Sequence, residues 1–433
     1  MEGNILLTTQ VYGVSNEQVE TYIEREEVDQ RFVDAISRNK HIIIYGASKQ
    51  GKTALTNKHL FPFNYIKVNC SHNTTPVDIY KSIIRQLNIE FEESKEVSNT
   101  YGGEAKVGAK ATLKIPFFGK GEASGEVSGK VEKEVTKSYK TIEFNLELAQ
   151  DISEILKQVN FTKRIILENF HYLTEETQQQ LSYDLRIFED SNILFIVLGI
   201  WKEKNRLGQF NGDLLDRLFE IPVEPWNKED LKKIAKEGEP LLSVDFSEII
   251  DELIEKCFDS VGVFQELCKE CCHAAQVFKT GSDIVEITKD HLLLAINKKL
   301  EDYSTRHIRS LEVFAEQKAR NAEETPLYIP YYFLKVLFDC EYDEITEGFR
   351  KSVLLSKIKK IHHKPDNVRP SDIGYFLQTL ISNQVKKRIS PPIFDFDQGT
   401  SSVKVIDSTF HFFIRNCNKK EVFDFIPIPP GLN

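Results

Sequence analysis

Apolar positions along this chain switch repeatedly between two spacings. Val28, Phe32, Val33 and Ile36 recur at a helical interval within residues 15–39, and the strand-favouring run His41–Ile44 follows directly. The alternation then continues. Tyr65–Cys70 reads as a strand, and Thr74-Thr75-Pro76 is a helix-start signal before Ile79, Ile83, Ile84 and Leu87. A helix is predicted near 146–159, a strand at 164–167, a helix at 175–189, a long strand at 192–200 and a last strand near 219–223. Strands alternating with helices predict an α/β domain whose parallel sheet is covered on both faces.

One segment breaks the pattern. In residues 92–140, Val107, Ala109, Ala111, Leu113 and Ile115 alternate with polar or small residues. After Pro116–Gly121 the alternation resumes at Ala123, Gly125, Val127, Gly129 and Val131. A period of two predicts an inserted β-hairpin with these two runs as arms, or a flexible loop rich in Gly, Ser and Lys. Past Asn227, an expected N-cap, the period is almost wholly helical: Leu231, Ile234, Ile249, Ile250, Leu253, Phe264, Leu267, Leu292, Leu293 and Ile296. Residues 301–323 read as a charged connecting helix. The rest combines helices around 332–338, 349–361 and 370–383 with β-like segments 392–396 and 403–406, a winged-helix-like order. The expected organisation is a nucleotide-binding α/β domain at 1–226, a helical lid at 227–300 and a winged-helix-like domain at 301–433.

Composition refines this only slightly. The 433 residues are 41% hydrophobic and 28% charged, ordinary for a globular chain, with a formal net charge of −10. Residues 306–433 carry roughly 19 Lys/Arg against 16 Asp/Glu, so the C-terminal part is slightly basic. Lys351, Lys357, Lys359, Lys360, Lys364 and Arg369, beside His362 and His363, would contact DNA phosphates or form a solvated helix face. No apolar run approaches the roughly 20 residues of a membrane helix, and the N-terminal residues lack a basic region before an apolar core. A cytoplasmic location is expected, in keeping with seven cysteines of no framework spacing. Cys268, Cys271, Cys272 and His273 share a helical segment, but no second ligand pair follows; packed thiols are expected rather than zinc.

The chemistry concentrates in one place. Gly46-Ala47-Ser48-Lys49-Gln50-Gly51-Lys52-Thr53 is a complete G-x-x-x-x-G-K-[ST] phosphate-binding loop between a strand and a helix. Two glycines let the loop curl so that its N–H groups and the following helix N-terminus converge on a polyphosphate. Lys52 would reach the β- and γ-phosphates of ATP, and the Thr53 hydroxyl would ligate Mg²⁺. Such a loop needs an acid at a neighbouring strand end. Glu168, leaving the apolar run Arg164–Leu167, is the expected second Mg²⁺ partner.

With TYIEREEVDQRF (21–32) upstream, RIILEN (164–169) and DLLDRLFEIPVEPWNKEDL (213–231) after the long strand, the chain resembles the AAA+ superfamily and its signal-transducing STAND relatives. The branch it is most similar to contains the archaeal origin-recognition ATPases. The resemblance implies an ATPase that couples nucleotide state to oligomerisation or to a separate effector protein, in prokaryotic signalling or defence; the alternative is a DNA-binding loader or remodeller. By position, Asn169 stands where many relatives have a catalytic glutamate, which implies slow hydrolysis. Arg217 matches the arginine that reaches a γ-phosphate, often across a subunit interface, or else pairs with Asp216 or Glu220. Gly199, Ile200 and Trp201 replace one sensor, and Gln265 replaces the arginine of the other. Tyr22 and Ile23 are candidates for adenine contact, or a packed core pair.

Overall fold

A computed structural model describes residues 5–15, 17–99, 105–116, 139–317 and 326–428. In chain order the first half contributes β1 (His41–Gly46), β2 (Tyr65–Asn69), β3 (Glu90–Asn99), β4 (Ala105–Pro116), β5 (Tyr139–Asn145), β6 (Arg164–Glu168), β7 (Phe195–Ile200) and β8 (Leu218–Pro222). Five of these form the expected parallel sheet, in the order β2-β6-β7-β1-β8. All six β1 residues are buried, as its unbroken apolar run requires of a strand covered on both faces. Successive residues supply opposite cores: Ile43, Ile165, Leu167 and Val197 pack on one side, and Ile42, Ile44, Ile166 and Ile196 on the other. His41 survives in this core because its Nε2 lies 2.8 Å from the Leu185 carbonyl and its Nδ1 accepts the Phe195 N–H at 3.0 Å. Burial holds its pKa down at about 4.

The helix Pro76–Gln86 begins where predicted. Thr75 accepts the Asp78 N–H, Asp78 accepts the Thr75 N–H, and Pro76 occupies the first turn. The insertion differs in pairing from the expected hairpin. Its first arm is a strand, β4, but β3 lies antiparallel along one edge and β5 takes Lys110–Pro116 on the other. Both edges of 110–114 are thus taken, by strands that lie at the two ends of the insertion. The expected second arm, 123–131, lies outside the described residues.

Four helices, Lys228–Leu242, Ile250–Lys256, Val261–Ala274 and Lys289–Ala315, surround a separate core that includes Phe246, Phe264 and Leu267. Two-residue strands β9 (Val244–Asp245) and β10 (Val285–Glu286) tie its loops. Cys257, Cys268, Cys271 and Cys272 are buried in this core, and burial raises their thiol pKa values. The helix Lys289–Ala315 runs unbroken through residue 300, where a boundary was expected. It feeds Leu292 and Ala295 into the lid core and Leu311 and Phe314 into the next.

The C-terminal part has the winged-helix order: helix Ile329–Asp339, β11 (Phe349–Arg350), helices Lys351–Ile361, Pro370–Gln378 and Leu380–Lys386, then β12 (Phe394–Asp397) and β13 (Ser402–Val405). The antiparallel sheet runs β11-β13-β12. Two further helices, Ser408–Asn416 and Lys419–Phe425, were not anticipated. The first has a cap that the sequence does announce: Asp407 accepts the Thr409 N–H at 3.0 Å, and Phe410, Phe413 and Ile414 follow on an apolar face.

Candidate functional site

The loop Gly46–Thr53 joins β1 to the helix Lys52–His59 in the conformation its residue types allow. Gly46, Lys49 and Gly51 have positive φ values of 153°, 59° and 84°. Partly buried Lys52 donates from its ammonium to the carbonyls of Gly46 (3.0 Å) and Ala47 (2.6 Å), spanning the mouth of the loop. Burial lowers its pKa to about 8, with Glu224 and Glu168 opposing the shift. Thr53 donates its hydroxyl to Glu168 Oε1 at 2.7 Å, so the two expected metal partners already meet. Hard oxygen donors at this spacing fit Mg²⁺.

Beside the loop is a cavity of about 300 Å³ whose wall includes Lys49–Leu55, Glu168, Asn169 and His171 together with Tyr22, Ile23, Trp226, Ile234, Val261 and Gln265. An anion cradle continuous with an apolar slot fits a nucleoside polyphosphate. Tyr22 and Ile23 therefore lie on the cavity wall, with Tyr22 donating its hydroxyl to Asp29 at 2.5 Å. Behind them the Arg25 guanidinium stacks 3.7 Å over Trp226. Asn169 reaches the cavity from a left-handed backbone, φ 61°, which asparagine tolerates better than glutamate would. Gly199 and Ile200 line the cavity too. Trp201 turns away, buried, and its indole lies where a Cβ on Gly199 would stand, so a side chain there is excluded. Gln265 is occupied: its amide donates to the Thr21 hydroxyl at 3.0 Å, and its oxygen accepts the Gly13 N–H at 3.2 Å.

Arg217 is placed elsewhere. It pairs with Glu189 (2.5 Å) and Asp190 (2.7 Å), rather than with Asp216 or Glu220, and is absent from the cavity wall. Of the basic set, Lys357 is paired with Glu344 at 2.7 Å; Lys359, Lys360, Lys364 and Arg369 are exposed, while Lys351 is half-buried. No helix among the described residues is long and apolar enough to cross a membrane.

Several residues at the loop were not foreseen. Glu224 accepts the Ala47 N–H at 2.9 Å. Gln50 donates to the Asp259 carbonyl (3.4 Å) and accepts the Val261 N–H (3.3 Å), bringing the lid onto the loop. The C-terminal domain arrives as well. Ser48 donates its N–H to the Ile406 carbonyl (3.0 Å), Ser408 donates its hydroxyl to the Ser48 carbonyl (2.7 Å), and the Ser408 N–H donates to Ser48 Oγ (3.2 Å). Buried Asp407 stands behind this corner, accepting from Arg306 and from the Thr409 hydroxyl (2.8 Å). The Asp-Ser-Thr cap signal after an apolar strand could have located the corner, but nothing in it points to Ser48.

Strand order, loop and acid together give the fold class of P-loop nucleotide-binding domains. No family model matches the chain, and no curated protein matches it. Among solved structures it is similar to the Aeropyrum pernix Orc1 protein in complex with DNA (12% identity, 94% of this chain and 95% of that one, TM-score 0.42). It is also similar to a Walker-type ATPase of Pyrococcus abyssi (12%, 92% and 97%, 0.48) and to Cdc6p from Pyrobaculum aerophilum (11%, 98% and 100%, 0.38). These structural neighbours are P-loop ATPases of the AAA+ type, the archaeal origin-recognition branch included. At such identities the likeness is one of fold alone.

Proposed function

We propose that this chain is an ATP-operated switch of the STAND kind, hydrolysing slowly and coupling nucleotide state to oligomerisation or partner binding. The carrying observation is that the corner Ile406–Ser408 bonds directly to Ser48 at the tip of the phosphate loop. A nucleotide that reshapes the tip changes the contacts of the C-terminal domain, which is the differential interaction a switch requires.

In this reading Lys52 holds the β- and γ-phosphates, and the N–H groups from Lys49 onward, with the helix N-terminus, cradle them, those of Ala47 and Ser48 being taken by Glu224 and Ile406. Thr53 and Glu168 would hold Mg²⁺, which neutralises phosphate charge when bound. Asn169 can orient a water but cannot accept its proton, so hydrolysis falls to Glu168 and is slow. Arg217, tied to Glu189 and Asp190, would act on a neighbouring subunit's nucleotide only after leaving that pair. The exposed Lys359, Lys360, Lys364 and Arg369 favour a second reading, in which the winged-helix part binds duplex DNA and drives ATP turnover.

Hydrogen exchange over 46–53 and 402–412, alongside mass photometry, tests the switch. With ADP the corner should stay protected, and a non-hydrolysable ATP analogue should deprotect it and change the assembly. Identical exchange in both states, or no nucleotide binding, would overturn it. Rapid turnover only with duplex DNA, lost in Lys359/Lys360→Glu, would select the second reading.

A further inference from the structure

We propose that Lys67 is a built-in counter-ion of the nucleotide site, and that through it this chain holds nucleotide with little dependence on Mg²⁺. The inference rests on the nucleotide reading of the same site. Lys67 comes from β2, the sheet's edge strand beside β6, where Asn69 lies opposite Glu168. From two residues further back its long side chain runs along the edge, and its ammonium stops 2.6 Å from Glu168 Oε2. The other oxygen, Oε1, accepts the Thr53 hydroxyl at 2.7 Å. Both oxygens of the acid are therefore engaged by this chain's own groups.

The consequence is electrostatic. A carboxylate beside the phosphate cradle repels a polyphosphate unless a cation stands between them, the service a divalent metal ordinarily supplies. Here the two acids that bond the phosphate loop each have a lysine: Glu168 has Lys67, and Glu224, which caps the Ala47 N–H, has Lys202 at 3.8 Å. Lys52 and Lys49 on the cavity wall add further positive charge, and the helix N-terminus adds its partial positive charge. The cradle is attractive to anions before any metal arrives. Lysine suits this role better than arginine would, since its compact charge meets one oxygen and its flexible stem can yield when a metal enters. The same pairing withholds Glu168 Oε2 from an attacking water, so Lys67 also restrains hydrolysis.

The test is calorimetric titration of the full chain with ADP, in EDTA and in excess Mg²⁺. Wild type should lose no more than about threefold in affinity without metal. Lys67→Met should lose roughly thirtyfold, the effect of one uncompensated charge at such a contact, and Lys67→Arg should return most of it. If Lys67→Met does not fold, Glu168→Gln serves instead: with no acid to offset, its metal-free affinity should equal or exceed wild type, and Mg²⁺ should add little. Equal metal dependence in wild type and Lys67→Met, or weaker metal-free binding by Glu168→Gln, would overturn the proposal. If wild type binds ADP in neither buffer, the nucleotide reading itself falls, and this inference with it.

Discussion

The two ends of the phosphate loop are held by different kinds of partner. At Lys52 and Thr53 the partners are the loop's own carbonyls and Glu168, one strand over in the same sheet. At Ser48, Lys49 and Gln50 they are the lid and the C-terminal domain: Asp259 and Val261 at Gln50, Tyr303 5.2 Å from the Lys49 ammonium, and Ile406–Ser408 at Ser48. On the proposed reading, the first end would bind phosphate within the α/β domain alone. The second can report on it, because every contact there crosses a domain boundary. A perturbation at one end should therefore read out as affinity, and at the other as closure.

The largest effect is expected at the binding end. Lys52→Ala removes the charge-assisted contacts to phosphate and should weaken ADP binding about a thousandfold, or about 4 kcal/mol, in calorimetry. Protection of residues 402–412 from hydrogen exchange should stay near that of nucleotide-free wild type. Loss of closure alongside affinity would erase the distinction between the ends.

Next comes Asp407→Ala at the reporting end. It removes the carboxylate partner of Arg306, which keeps the Thr409 hydroxyl at 2.9 Å, together with the N-cap of the helix Ser408–Asn416, costing about 3 kcal/mol in all. Thermal unfolding should record that loss and hydrogen exchange the exposure of 46–53. ADP affinity in the folded protein should change less than about threefold, since the Asp407 side chain bonds the loop through the Ser48 hydroxyl, at 3.3 Å, and its charge acts on Lys49 only through space. An Asp407→Ala protein with the wild-type melting point would show the corner to be a loose contact.

A smaller, steric perturbation sits between the two. A Cβ on Gly262 would lie 2.5 Å from the Lys49 Cβ and 2.7 Å from its carbonyl oxygen. Backbone cannot yield there as a side-chain tip can, so Gly262→Ala should push the lid off the loop at about 2 kcal/mol. Exchange at Gln50 and Val261 should rise while Lys52 keeps its place. Unchanged exchange would mean that the lid and loop are already apart in solution.

How far the sequence foretold each end follows from the same geometry. Gly46–Thr53 is contiguous, and its chemistry is set by residue types at fixed spacing, so it is legible at sight. Glu168 is legible because an acid ending an apolar run is unusual. Lys67 is not, because a lysine on an edge strand is indistinguishable in sequence from any solvated one. The Ser48–Ser408 contact spans 360 positions and depends on how three cores dock, which no periodicity encodes. The insertion shows the same limit at short range. Alternation announced β4, but its partners were set by which flanking segments, 90–99 and 139–145, could reach its two edges.

The smallest effect separates the ends by pH alone. Burial holds Lys52 at about 8, against an ordinary value of 10.5, and only its protonated form attracts phosphate. Bound polyphosphate favours the ammonium, so between about pH 8 and the bound-state value each unit of pH should cost up to tenfold in affinity. From pH 7 to 9 the loss should be about tenfold, with proton uptake on binding visible as a dependence of the calorimetric enthalpy on the buffer's ionisation enthalpy. Folding responds with the opposite sign. A lysine whose folded value lies below its unfolded one destabilises the neutral-pH protein, and this burden lifts as pH rises from about 8 toward 10.5. Lys52 thus predicts weaker nucleotide binding over the same interval in which its own contribution to stability improves. Calorimetry and thermal unfolding at pH 7, 8 and 9 check both signs. A flat affinity would place the ammonium away from the phosphates, whereas a joint fall in affinity and stability that persists in Lys52→Met would assign the pH response to another group.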